Sequence, residues 1–168
     1  MKYHNITTDD MLNGDGLRTV LWLSGCSHHC KNCQNPVTWD PENGLVFDQD
    51  AESELFEKLS KKHISGITFS GGDPLHENNI NEVLSLINLI KEIFPEKTIW
   101  LYSGYTIDEI FNDESIDMII RQDILKKIDV FVDGKFIEEL KDANYEWAGS
   151  TNQRIIRMKE YMNENGIS

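Results

Sequence analysis

Four short apolar runs, each giving way to a loop and then to a helical or irregular stretch, constrain this chain more than any other feature. They are Leu17 to Ser24, Gly66 to Ser70, Thr98 to Tyr102 and Ile128 to Val132. Continuous β-rich runs of this length are the pattern of strands buried on both faces. Between them lie a helical pattern near Asp50 to Lys62 and a stripe of Ile80, Val83, Leu84, Ile87, Ile90 and Phe94. Asn79 falls at the N-cap of that stripe and Pro95 closes it. A capping box, Thr106-x-x-Glu109, starts another helix, and a further one is expected around Ile116 to Leu125. The stripe is read as core, because each parallel sheet needs helices on its faces.

This alternation predicts parallel strands joined by right-handed crossovers, with ligand chemistry on the loops that leave the strands' carboxyl ends. A closed eightfold barrel takes about 250 residues. The 168 residues here therefore predict an α/β fold that is an incomplete parallel β/α barrel or an open sheet, in one domain spanning 1–168. An open side would admit a macromolecule. After Lys135 the pattern is less regular, with one short strand expected near Arg154 to Met158.

Charge narrows the partners. With 29 acidic against 16 basic residues the net charge is −13, which argues against a nucleic-acid surface. No run approaches the ~18 to 20 apolar residues of a membrane span, and Met1 to Asn5 lacks the apolar stretch of a secretory signal. A cytoplasmic protein is expected.

All three cysteines fall in one eight-residue window, Cys26-x-x-x-Cys30-x-x-Cys33, which suits neither a disulfide framework nor scattered buried thiols. Three thiolates hold three corners of an iron-sulfur cubane and leave the fourth iron open, whereas a closed zinc site takes four ligands. For this array alone, a Cys3His zinc site through His28 or His29 stays open as an alternative. In the cubane reading the two histidines are exposed loop residues, since a fourth protein ligand would block the open iron. Directly after the second apolar run comes Gly71-Gly72-Asp73-Pro74, where strand structure must stop. Taken alone, this could be a plain surface turn.

The two motifs in this order resemble the radical S-adenosylmethionine superfamily. The resemblance implies a 4Fe-4S cluster on Cys26, Cys30 and Cys33, with S-adenosylmethionine chelating the open iron through its amino and carboxylate groups. It implies that Gly71, Gly72, Asp73 and Pro74 bind the amino group, glycine letting the main chain approach where a Cβ would obstruct. The family often carries an aromatic residue before the third cysteine. This chain has Asn32 there, which leaves main-chain contacts to adenine from Asn32, Cys33 and Gln34. Ser103, Asp133 and Lys135, just past later strands, correspond to positions that contact the cofactor's ribose or carboxylate or a monovalent cation. Their alternative is simple solvation.

Three further segments narrow the resemblance: Asn13 to Thr19, Gln34-Asn35-Pro36 with Trp39, and Trp147 to Arg154. Together they are similar to glycyl-radical activating enzymes of anaerobic ribonucleotide reduction. That resemblance implies reductive cleavage of S-adenosylmethionine and a glycyl radical generated on the large anaerobic ribonucleoside-triphosphate reductase. It also implies flavodoxin or ferredoxin as electron donor. Arg154 is expected to pair with a carboxylate of the partner or with the cofactor, and Arg18 with a carboxylate or in a surface ion pair. No residue presents itself as a general acid or base. The alternatives are a small radical S-adenosylmethionine enzyme acting on a small organic substrate, of deazapurine synthase type, and a non-catalytic metal-binding module.

Overall fold

The computed structural model describes residues 1–168. Its elements in chain order are β1 (Lys2–Asp10), β2 (Arg18–Leu23), β3 (Leu45–Val46), α1 (Gln49–Leu59), β4 (Gly66–Gly71) and α2 (Ile80–Ile93). They continue with β5 (Thr98–Tyr102), α3 (Ile107–Phe111), α4 (Ile116–Leu125), β6 (Val130–Asp133), β7 (Arg154–Arg157) and α5 (Met158–Asn165). All seven strands form one sheet in the order β3-β1-β2-β4-β5-β6-β7.

The four strands anticipated from the apolar runs, β2, β4, β5 and β6, lie side by side and parallel, with Leu21 opposite Phe69, Phe69 opposite Leu101 and Leu101 opposite Phe131. The outer strands correct the all-parallel expectation. β1 runs antiparallel to β2, β3 antiparallel to β1, and β7 antiparallel to β6. The connection from Asp10 to Arg18 is shorter than the dozen or so residues a parallel crossover needs, so β1 and β2 must pair head to tail. Between β6 and β7 only a 3-10 turn, Glu138–Leu140, is helical, and the chain again returns antiparallel. The sheet is mixed and does not close.

Crossovers of one hand, all stepping the same way along the sheet, put the helices on one face. Strand residues Leu21, Leu23, Ile67, Phe69, Ile99, Leu101 and Phe131 point to that side, where they join Leu55, Ile87, Ile90, Ile110 and Ile124 of the helices in one core. Helix α2 buries Ile80, Val83, Leu86, Ile87 and Ile90 there, at roughly 1.5–3 kcal/mol per side chain. The pleat sends Trp100, Val130 and Val132 to the opposite, helix-free face. Trp147 meets Trp100 there edge-on, with ring centroids 5.0 Å apart. No helix is long and apolar enough to cross a membrane.

Arg18 is not on the surface and pairs with no carboxylate. It is fully buried at the start of β2, where Nε donates to Thr68 Oγ1 at 2.8 Å. Nη1 donates to Asp15 O and Thr98 Oγ1, both at 2.9 Å, and Nη2 to Ile67 O at 2.7 Å and Thr98 O at 2.8 Å. All five guanidinium donors are thus used on neutral oxygens. Burial pushes the Arg18 guanidinium down to about 10. Gly66 makes room for it, since a Cβ there would sit 1.9 Å from Thr98 O and 2.8 Å from Arg18 Nη2.

Candidate iron-sulfur site

The carboxyl ends of the parallel strands open into a cleft of about 980 Å³ whose walls include Cys26, Cys30 and Cys33. The chain leaves β2 through Gly25, at φ +98°, and folds back so that Gly25 N–H donates to Thr38 O at 2.7 Å and Cys26 N–H to Trp39 O at 3.0 Å. A 3-10 turn, Pro36–Thr38, and its C-cap residue Trp39 supply those acceptors. His29 and Asn32 take left-handed φ values of +49° and +54°, which curls the loop around its thiols.

Backbone N–H groups meet each sulfur. Cys26 accepts from His28 and His29, Cys30 from Phe136, and Cys33 Sγ from Asn35 N at 3.4 Å. Burial nonetheless pushes the Cys26 thiol up to about 11, against those N–H bonds. Cys30 is raised by burial too, while the nearby Lys135 charge favours its thiolate. The donor chemistry fits an iron-sulfur cluster: three sulfurs on one short loop, two of them, Cys26 and Cys30, held as thiols by burial and met by N–H groups that favour thiolate.

A single zinc ion fits less well. Its sulfur ligands would stand about 3.8 Å apart around one centre. No three His, Cys, Asp or Glu side chains gather on such a point. Both histidines are engaged elsewhere. His29 stacks on Trp39 with centroids 4.6 Å apart, and His28 Nε2 lies 2.5 Å from Asp73 Oδ2. The expectation of an exposed His28 is corrected, because its side chain is only 7% accessible.

The Gly-Gly loop lies directly against the cysteine loop. Gly72 N–H donates to Leu23 O at 2.8 Å and Asp73 N–H to Gly25 O at 2.6 Å. A Cβ on Gly72 would stand 2.6 Å from Gly25 O and 3.0 Å from Thr38 O. One on Gly71, at φ +95°, would stand 2.6 Å from Leu23 N. The glycines are therefore required by the packing of two backbones, in addition to any approach of the main chain to a ligand. Asn79 adds to this layer. Instead of capping α2, its Nδ2 donates to Ser24 O at 2.8 Å and Asp73 O at 3.1 Å.

Of the ten positions expected to touch the cofactor, Cys33, Gln34, Gly71, Gly72, Asp73, Ser103 and Lys135 line the cleft, and Asn32, Pro74 and Asp133 do not. The Asn32 amide bonds Glu138 across the rim. Asp133 is buried and accepts from Ile107 N at 2.8 Å and from Arg154 Nε and Nη2 at 3.0 and 2.5 Å. Arg154 also reaches Asp108 at 3.0 Å, so both members of this expected contact set are engaged internally.

Trp22, Tyr102 and Trp147 also line the cleft; no site role was expected of Trp22 or Tyr102, and Trp147 entered only as the head of the segment Trp147 to Arg154. The signal for two of them was the strand alternation, which puts Trp22 and Tyr102 on the helix-free face. Tyr102 OH donates to Trp147 O at 2.7 Å, and burial raises its hydroxyl above the ordinary tyrosine range. Trp147 itself has φ +63°.

The cleft and its three thiols define a single-cluster iron-sulfur protein, and the family model for the "4Fe-4S single cluster domain" matches residues 12–156. Curated relatives are more specific. A protein of Vibrio cholerae is 43% identical over 94% of this chain and 98% of its own length. One of Enterobacteria phage T4 is 41% identical over 92% and 93%, and one of Escherichia coli K12 is 37% identical over 95% and 100%. Each is named anaerobic ribonucleoside-triphosphate reductase-activating protein. This chain belongs to the family of anaerobic ribonucleoside-triphosphate reductase-activating proteins.

Proposed function

We propose that this chain is a radical S-adenosylmethionine activase that generates the glycyl radical of an anaerobic ribonucleoside-triphosphate reductase. One observation carries the reading: the three thiols and the Gly71-Gly72 loop, far apart in sequence, form two walls of one cleft. The names of the relatives supply the substrate protein. When bound and reduced by flavodoxin or ferredoxin in the cytoplasm, the cluster supplies the electron that cleaves S-adenosylmethionine and so the abstraction of a hydrogen atom from a glycine α-carbon.

The chain's own residues bind, orient and exclude water. Cys26, Cys30 and Cys33 hold three irons, and N–H groups of His28, His29, Phe136 and Asn35 direct the sulfurs. The Gly71-Gly72 main chain would receive the cofactor's amino group. Ser103 holds Asp73 in place, and Lys135 offers a cation at the same wall. Trp22, Tyr102 and Trp147 give the rest of the cleft an aromatic lining that keeps water from a radical reaction.

The test is 5′-deoxyadenosine formation under anaerobic reducing conditions, measured with and without the reductase. Methionine and 5′-deoxyadenosine in equal amounts, with turnover coupled to the reductase, support the proposal. Cleavage that yields a modified small molecule and ignores the reductase would move the assignment to a small-substrate enzyme.

A further inference from the structure

His28 sits midway between the first two cysteines, and its side chain meets the Gly-Gly loop. Its Nε2–H donates to Asp73 Oδ2 at 2.5 Å. The same oxygen accepts from Ser103 Oγ at 2.9 Å and Gly104 N at 3.1 Å, while Asp73 Oδ1 accepts from Leu75 N at 2.8 Å. One buried carboxylate therefore ties together the cysteine loop, the Gly-Gly loop and the loop after β5. The imidazole fits its slot closely. Tyr105 meets it edge-on at 4.7 Å, and a Cβ on Gly104 would lie 2.3 Å from the ring. Arg121 lies over the Tyr105 ring at 4.7 Å, backing that aromatic from the α4 side.

We infer that His28 is a positioning residue which, through Asp73, fixes the cluster-bearing loop relative to the Gly71-Gly72 wall, and so sets the approach of S-adenosylmethionine to the open iron. The inference rests on the function proposed above. Its physical basis is that a hydrogen bond to a buried carboxylate is strong and directional in a low-dielectric setting. The Gly-Gly backbone alone joins the loops only at the root, at Gly25 and Leu23. The His28 bond adds a second point beyond Cys26, and two points fix an orientation that one leaves free to pivot. Groups of this kind around metal ligands change affinity or activity by about 10–100-fold when removed.

The experiment compares His28→Ala with His28→Gln, whose amide nitrogen can take the place of Nε2. In metal-free protein, hydrogen exchange over residues 26–33 and 71–76 should quicken in His28→Ala and stay near wild type in His28→Gln. After anaerobic reconstitution, His28→Ala should retain about four irons. Its affinity for S-adenosylmethionine should fall about tenfold or more. The shift that S-adenosylmethionine causes in the electron paramagnetic resonance of the reduced cluster should weaken in parallel, and His28→Gln should restore both. Wild-type exchange and affinity in His28→Ala overturn the inference, as does a His28→Gln variant as impaired as His28→Ala. Should His28→Ala not accept iron, the exchange comparison and the His28→Gln affinity decide. Wild-type protein that binds no S-adenosylmethionine refutes the underlying function, and the exchange data still decide whether His28 holds the loops.

Discussion

Arg154 grips Asp133 through two hydrogen bonds of 3.0 and 2.5 Å, joining β7 to the end of β6. The carboxylate is buried and the guanidinium half-exposed, and the pairing holds the Arg154 pKa above its ordinary value. The residue that the sequence suggests as a partner contact is an internal brace at the sheet edge.

Arg154→Ala leaves the buried Asp133 with only the Ile107 N–H, a loss of roughly 2 kcal/mol. The thermal midpoint of metal-free protein should fall by about 4–8 °C, with iron binding intact. An unchanged midpoint combined with lost complex formation would return Arg154 to the role of partner contact.

Gly72→Ala should lower iron content and S-adenosylmethionine binding together. A Cβ there meets two carbonyl oxygens of the cysteine loop, Gly25 O and Thr38 O, neither of which is a flexible side chain. Iron analysis after reconstitution checks this. Full iron content with lost cofactor binding would mean that the glycine serves the ligand alone.

Arg18→Met should destabilise the fold on the order of 3 kcal/mol or more, read from the urea midpoint, because the buried oxygens of Ile67 and Thr68 lose their donor, and two oxygens of Thr98 at the strand edge lose theirs. Arg18→Lys should recover only part of that, since an ammonium brings three donors where the guanidinium brings five. Equal stability of all three proteins would contradict the brace.

In metal-free protein the Cys26 thiol is pushed up to about 11, and thiolate is the form that alkylates. At pH 8 about one molecule in a thousand carries that thiolate. Alkylation of Cys26, followed by mass spectrometry, should therefore rise about tenfold per pH unit until roughly pH 11. A plateau near pH 9 would show that burial does not control this thiol.

The parallel centre of the sheet was legible because β2, β4, β5 and β6 are short apolar runs that end in glycine or polar loops. β1 was not, because Lys2–Asp10 is half-exposed and largely polar, and its pairing is decided by the short return to β2. α5 has a polar sequence that buries only Met158, so periodicity gave no signal. The three thiols and the Gly-Gly loop were legible from local spacing. The links from His28 to Asp73, 45 residues apart, and from Arg154 to Asp133 were not, since side-chain pairing across strands leaves no local pattern. Arg18 did carry a sign: a charge inside an otherwise apolar strand run must find buried partners or break the strand.

Electron paramagnetic resonance of the anaerobic reductase, after incubation with reconstituted protein, S-adenosylmethionine and a reductant, reads out the proposed activase function. A glycyl doublet is expected on the reductase with wild-type protein, and none with Cys26→Ala, Cys30→Ala or Cys33→Ala, each of which removes a ligand that no other cysteine can replace. A doublet of full intensity from any of those three variants, or no doublet from wild-type protein that cleaves S-adenosylmethionine, would contradict that function.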